Sequence, residues 1–202
     1  MSALRARTTL VATALALAAT GAVLAAPAQA AALSRFDNGS FEYPLAPANS
    51  FSTHPAGSLL GPWRVGGGGI DLIDNGFWQA AEGDQSIDLN AGAPGSVTQT
   101  FTTVPGRTYT VSYSLAGNVD GNSQPVVKTG RVLIDGQNFQ DFSFDVTGKT
   151  RPAMGYVNRQ FDFTAGAAAT TLAFVSGTPG AHGPAIDNVQ VKSACCGCSS
   201  SC

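Results

Sequence analysis

Charge is scarce in this chain of 202 residues: Asp, Glu, Lys and Arg together make up 12% of it, against roughly a quarter in an average soluble domain. The formal net charge is −2. Recognition of nucleic acid needs clustered Lys and Arg on one face, so this balance argues against such a partner. Histidine is almost absent as well, with only His54 and His182. His54 precedes Pro55 in a Ser- and Pro-rich loop, and His182 sits in a Gly-Ala-His-Gly turn, so each reads as a surface residue and not as a base. The chain has no Gly-x-Ser-x-Gly elbow and no His-Glu-x-x-His pair, and Gly66 to Gly69 lack the lysine and helix of a phosphate loop. Glycosidase chemistry would need two carboxyls facing each other across a cleft, and nothing in the spacing of the aspartates selects such a pair. The expectation is a protein without catalytic activity.

Cysteine is missing from the first 194 positions, and all four, Cys195, Cys196, Cys198 and Cys202, crowd into the end of the chain. Disulfides therefore cannot staple a core, and about 160 residues is enough to bury one without them. Beyond the first thirty residues no long apolar run exists, which excludes a membrane span from the remainder. Those thirty read as a cleaved secretory leader: Arg5 and Arg7, an apolar run from Leu10 to Ala26, and the small-residue ending Ala28-Gln29-Ala30. Removing residues 1–30 leaves nine basic and thirteen acidic side chains, a net charge of −4. The expected location is secreted, extracellular or bound to a cell wall.

What the chain has in abundance is alternation with a period of two. In Thr108-Tyr109-Thr110-Val111-Ser112-Tyr113-Ser114-Leu115 the odd positions are apolar and the even ones hydroxylic, as a strand with one buried face requires. Phe142 to Val146, Phe161 to Phe163, Leu172 to Phe174 and Val189 to Val191 repeat the pattern. Turn clusters separate these runs, among them Gly66 to Gly69, Val104-Pro105-Gly106, Asp135-Gly136 and Thr178-Pro179-Gly180. About ten short strands at this spacing predict an all-β, two-sheet jelly-roll sandwich over residues 31–192, followed by a flexible tail over residues 193–202. Every isoleucine is followed by aspartate, at 70, 73, 87, 134 and 186. That pattern reads as a buried branched residue beside an outward or strand-ending acid, with a ligand site as the alternative.

Two phrases mark the ends of the domain, Asn38-Gly39-Ser40-Phe41-Glu42 and Gly183-Pro184-Ala185-Ile186-Asp187-Asn188-Val189. Both look like strands carrying one acid each. If they lie side by side, Glu42 and Asp187 converge, either as a structural pin on one hard cation or as solvated or turn-capping acids. Sugar recognition needs an aromatic face together with amides and carboxylates aimed at hydroxyls. Phe77 and Trp78, in a Gly- and Asn-flanked loop with Asp71, Asp74, Asn75 and Gln79 nearby, offer both kinds. Trp78 is either a platform for a ring or a plug for one end of the sandwich, and Trp63 reads as a core strand residue. Asn118 and Asp120, with Lys128 and Arg131 following, either reach the same rim or form a tight turn with solvated charges.

The two end phrases, with Gln85-Ser86-Ile87-Asp88-Leu89-Asn90 and Leu115-Ala116-Gly117-Asn118 between them, resemble the choice-of-anchor C family of bacterial surface proteins. That family is related to the plant cell-wall proteins catalogued as domain of unknown function 642. The resemblance covers the whole domain. It implies a galactose-binding-like sandwich, a fold widely used by non-catalytic carbohydrate-binding modules, and a place on or in a cell wall, with polysaccharide or a wall protein as partner. It also implies a structural calcium ion between the first and last strands, held by Glu42 and Asp187, with backbone carbonyls and Asn38 completing the six to eight oxygens that calcium takes. The family name reflects varying anchors after the domain, and here the cysteine tail stands in that place. Its four cysteines pair locally or with another protein, wrap a soft ion such as Cu(I) or Zn(II), serve as an attachment of another kind, or form an end without function. Cross-linking through them is the alternative function, that of an adhesive surface protein with a protein partner.

Overall fold

The computed structural model describes residues 35–120 and 124–194. The expected leader and the four tail cysteines, Cys195, Cys196, Cys198 and Cys202, lie outside the described residues. Two six-stranded sheets, every pair antiparallel, face each other. One sheet runs in the order β1 (Phe51–His54), β4 (Ile70–Asp74), β5 (Gln85–Asp88), β12 (Pro184–Ser193), β7 (Thr108–Gly117), β10 (Val157–Thr164). The other runs β2 (Leu59–Leu60), β3 (Trp63–Gly67), β6 (Gly95–Thr102), β11 (Ala169–Ser176), β8 (Val127–Ile134), β9 (Gln137–Asp145). This is the all-β jelly roll that the alternation predicts. No helix occurs among the described residues, so none there is long and apolar enough to cross a membrane.

The alternation decides which way each strand faces. On β6, Val97, Gln99 and Phe101 are buried while Ser96, Thr98 and Thr100 turn outward; on β7, Val111, Tyr113 and Leu115 point in. Between the sheets Tyr113 meets Phe174 edge-on at 5.0 Å, and Phe174 meets Trp63 at 6.3 Å. Trp63 is fully buried and donates its Nε1–H to the Asn38 carbonyl at 2.9 Å. Burying each such side chain contributes roughly 1.5–3 kcal/mol, which is why a chain with no disulfide in this region can hold the sandwich. All five isoleucines are buried. Their aspartates differ: Asp135 is exposed, Asp71 and Asp74 are half-buried, and Asp88 and Asp187 are fully buried. Lys128, expected as a solvated charge, is also fully buried, because its position on β8 has the same parity as inward-facing Val132 and Ile134.

The first end phrase is not a strand. Residues 38–42 form a turn closed by the Phe41 N–H donating to the Asn38 carbonyl at 3.2 Å, with Asn38 and Phe41 both at positive φ, 50° and 59°. The Asn38 side chain fastens it by donating from Nδ2 to the Tyr43 carbonyl at 2.6 Å and accepting the Tyr43 N–H at Oδ1. Asparagine tolerates this backbone because its short amide bonds locally. The two ends still meet, because β12 is bulged between Asp187 and Gln190, and the Val189 N–H donates there to the Gly39 carbonyl at 2.9 Å. A Cβ on residue 39 would lie 1.9 Å from the Val189 carbonyl oxygen. Gly39→Ala must therefore push the chain ends apart. We expect a loss of about 2 kcal/mol or more in urea unfolding, and stability within about 0.5 kcal/mol of wild type would disprove the contact.

Candidate functional site

Antiparallel register places directly opposed residues on one face. Outside the β1-containing sheet, Thr53 faces Asp71 and Asp71 faces Asp88; one step along, Phe51 faces Ile73 and Ile73 faces Ser86. These positions would be solvent-facing in a bare sandwich. Here loops cover them, so that Ser86, Asp88, Ala116, Ala185 and Asp187 are all buried. The loop at residues 75–84 folds over β5, and the Gln79 N–H donates to the Arg151 carbonyl at 2.8 Å, joining it to the loop at 149–155. Between these covers and the open edge at β1 remains a pocket of about 190 Å³ lined by Phe51, Thr53, Asp71, Phe77, Asn118, Asp120 and neighbours that include Trp78 and His182.

The four ligand candidates of the sequence, Asp71, Phe77, Trp78 and Asn118, thus share one pocket, although they come from three segments. Their parts differ from expectation in one respect. Trp78 is not an exposed platform: it is 2% exposed, and its Nε1–H donates to Ser86 Oγ at 2.8 Å. The indole lines the pocket from within the covering loop and anchors that loop to β5 through Ser86. The exposed ring is Phe51, 43% exposed and set edge-on to Phe77 at 5.5 Å. The Arg151 guanidinium lies 3.9 Å from the centre of the Phe77 ring, a cation–π contact, and its Nε–H also donates to Asp120 Oδ1. Arg151 thereby ties two walls together. Composition alone hid Phe51, Thr53 and Arg151; the alternation Phe51-Ser52-Thr53 was the available signal for the first two.

The polar groups fall into an outer and an inner layer. Outside, Asp71 Oδ1 accepts from Thr53 Oγ1 at 2.6 Å, and partial burial raises the Asp71 pKa. Inside, Asp88 accepts from the N–H groups of Asn90 at 2.9 Å and Gly183 at 3.0 Å and from Asn118 Nδ2 at 2.7 Å. Full burial outweighs these donors and pushes the Asp88 carboxyl up to about 8, with the neighbouring charge of Asp71 adding to it. Lys128 answers from between the sheets: burial lowers its pKa, Asp88 opposes that shift, and among the described residues its Nζ has no hydrogen-bond partner. Asn118 also accepts the Asp120 N–H at 2.8 Å, which shapes the third wall.

Glu42 and Asp187 do converge from the two chain ends, but onto a loop. Asp187 Oδ2 accepts from Ala81 N–H at 2.7 Å and Glu82 N–H at 3.0 Å, while Oδ1 accepts from Asn188 N–H at 2.5 Å. Glu42 Oε1 accepts from Asp84 N–H at 3.0 Å and Gln85 N–H at 3.1 Å. Burial raises both pKa values, Asp187 to about 7. Three of the four oxygens therefore face the positive ends of amide dipoles, and among the described residues no group of three or more His, Cys, Asp or Glu is arranged to hold a metal ion. Amide donors thus meet this pair here, and the calcium ion between the chain ends stands as a proposal drawn from the resemblance.

A larger groove of about 510 Å³ crosses the outer face of β8, β9 and β11, lined by Thr129, Arg131, Asp141, Ser143 and Val175. It presents no exposed aromatic ring, since Phe142 beneath it is 5% exposed.

The model of the family described as "Protein of unknown function (DUF642)" matches residues 34–192. Halomucin from Haloquadratum walsbyi (strain DSM 16790 / HBSQ001) is 32% identical over 161 residues, covering 76% of this chain and 2% of Halomucin. The chain thus spans about 2% of the length of that relative. Among solved structures, TmCBM61 in complex with beta-1,4-galactotriose is similar at a TM-score of 0.50 and 17% identity, over 80% of this chain and 99% of that one. A family 35 carbohydrate binding module from Clostridium thermocellum reaches 0.47 at 13% identity, over 72% of this chain and 99% of that one. The first of these likenesses is one of fold, a two-sheet β-sandwich, and carries nothing further.

Burial of two carboxylates sets a pH dependence. Both have folded pKa values above the unfolded value of 3.8, about 8 for Asp88 and about 7 for Asp187. Their contribution is complete below the unfolded value and is lost progressively as pH rises through 7 and 8. The melting temperature should fall between pH 5 and pH 8, and Asp88→Asn should fall less; equal slopes in the two proteins would refute a buried proton on Asp88. Trp78→Ala should cost about 3–5 kcal/mol in denaturant unfolding, as for other buried tryptophans, whereas an exposed platform would cost almost nothing.

Proposed function

The chain belongs to the DUF642 family, and we propose that its domain is a secreted, non-catalytic module that attaches to cell-wall or cell-surface polysaccharide through the pocket at the β1 edge. The observation that carries this reading is the chemistry of that pocket. It combines the exposed Phe51 ring with Asp71, Asn118 and Asp120 at its walls. An aromatic face takes the C–H side of a sugar ring, and carboxylates and amides take its hydroxyls in fixed directions. Rigid support favours recognition: Phe77 is held by Arg151, Asp71 by Thr53 and Asn118 by Asp88. A site whose groups are already ordered loses little entropy when it binds.

The same geometry supports a non-catalytic reading. Asp88, the acid opposite Asp71, is fully buried beneath the pocket and bonded to three N–H donors. A general acid must reach its substrate oxygen, and this one does not. The leader-like residues 1–30 support export, and the resemblance to choice-of-anchor C proteins supports a surface location.

Phe51→Ala tests the reading with little risk to the fold, because the ring is 43% exposed. On an array of wall polysaccharides we expect the wild-type chain to be retained and the variant to lose about ten-fold or more in affinity, with the melting temperature unchanged. Full retention of the variant would remove the pocket from the function.

A further inference from the structure

This inference deepens the preceding reading and rests on it. We propose that the pocket takes a single uncharged sugar residue at the end of a glycan chain and rejects the corresponding uronic acid.

Size gives the first half. At about 190 Å³ the pocket is smaller than the roughly 300–1,000 Å³ of sites for larger ligands. It has room for one ring. Three loop segments converge on it: Phe77 and Trp78 from the loop at 75–84, Asn118 and Asp120 from the end of β7 onward, and Ala181 and His182 from the loop before β12. A polysaccharide passing through would need two open ends, whereas one sugar at a chain terminus needs one.

Charge gives the second half. Two carboxylates, Asp71 and Asp120, line the pocket, and among the described residues no Lys or Arg does. Arg151 stands outside that lining, stacked on Phe77, and its Nε–H is bonded to Asp120 Oδ1, so one positive charge offsets one of the two negative charges. The charge of Asp71 remains. Its only close polar partner given by the structure is the neutral Thr53 hydroxyl, and the residue directly opposite it is Asp88. Lys128 is buried, is absent from the pocket lining, and interacts with Asp88. A neutral sugar gains charge-assisted hydrogen bonds from its hydroxyls to Asp71. A uronate brings a carboxylate into a small, half-dry cavity that already carries uncompensated negative charge, and like charges at close range in such surroundings repel strongly.

A neutral hexose and its uronic acid differ only at C6, CH2OH against COO−, so matched pairs isolate the charge. The test is calorimetric titration of the purified chain at pH 7 with oligosaccharides of galactose, glucose and mannose, and with the galacturonate, glucuronate and mannuronate oligosaccharides of equal length. At least one neutral series should bind, with its uronate counterpart at least about ten-fold weaker. Raising salt should improve the uronate and leave the neutral sugar unchanged, and Asp71→Asn should narrow the ratio between them. Chain length adds a check on size: affinity should stop rising beyond one or two sugars. A uronate that binds as well as its neutral partner, or a ratio unmoved by both salt and Asp71→Asn, overturns the inference while leaving polysaccharide binding intact. Silence across both series overturns the functional reading itself.

Discussion

Buried carboxylates that need N–H donors organise this domain around its outer surface as much as around its apolar core. Asp187 and Glu42 grip the loop at 81–85 through four backbone N–H groups, and Asp88 holds Asn90, Gly183 and Asn118. A charged or partly charged oxygen removed from water must be matched, and loop backbone is the cheapest source of donors near a sheet face. The loops are consequently drawn down over β5 and β12. What would have been a flat, wet sheet face becomes a second packed layer, with Trp78 and Met154 buried in it.

The pocket is the place where that layer stops. β1 forms the edge of the sheet, and the covering loops do not extend across it, so Phe51 and Thr53 stay at the surface while Asp71, one strand further in, is half-buried. Function and stability are therefore linked through shared residues. Asn118 lines the pocket and also satisfies Asp88; Asp120 lines it and also binds Arg151, which braces Phe77. Specificity for neutral sugars would arise from the same economy of charge seen in the whole chain: among the described residues, Arg151 is the cation that contacts the pocket walls.

A carboxyl held protonated into the neutral range beneath the pocket links the stability of its walls to pH. As Asp88 ionises, the inner layer loses stability. The loops that depend on it form the pocket wall. Asp88 holds Asn118 and Gly183 in place, so the same carboxyl that retains the proton also positions part of that wall.

The sequence by itself determined the sandwich. Period-two alternation is a local signal, and in Thr108 to Leu115 it names the buried face one residue at a time, since each side chain must point to one side or the other. The scarcity of charge and the lack of cysteine before position 195 were readable directly. So was the set Asp71, Phe77, Trp78 and Asn118, though only as residue types suited to sugars. Tertiary structure decided how they divide the work. Whether Trp78 faces solvent depends on Ser86, a residue eight positions away on another element. The partners of Glu42 and Asp187 were open for a related reason: a carboxylate in a sequence carries no record of whether a cation or an amide will neutralise it. Asn38 to Glu42 could not be told from a strand, because its turn is set by Asn38 at positive φ and by contact with a bulge 150 residues later. Phe51 was hidden since exposure is a property of the surface around a residue, and that surface exists only once the loops have folded over the sheet.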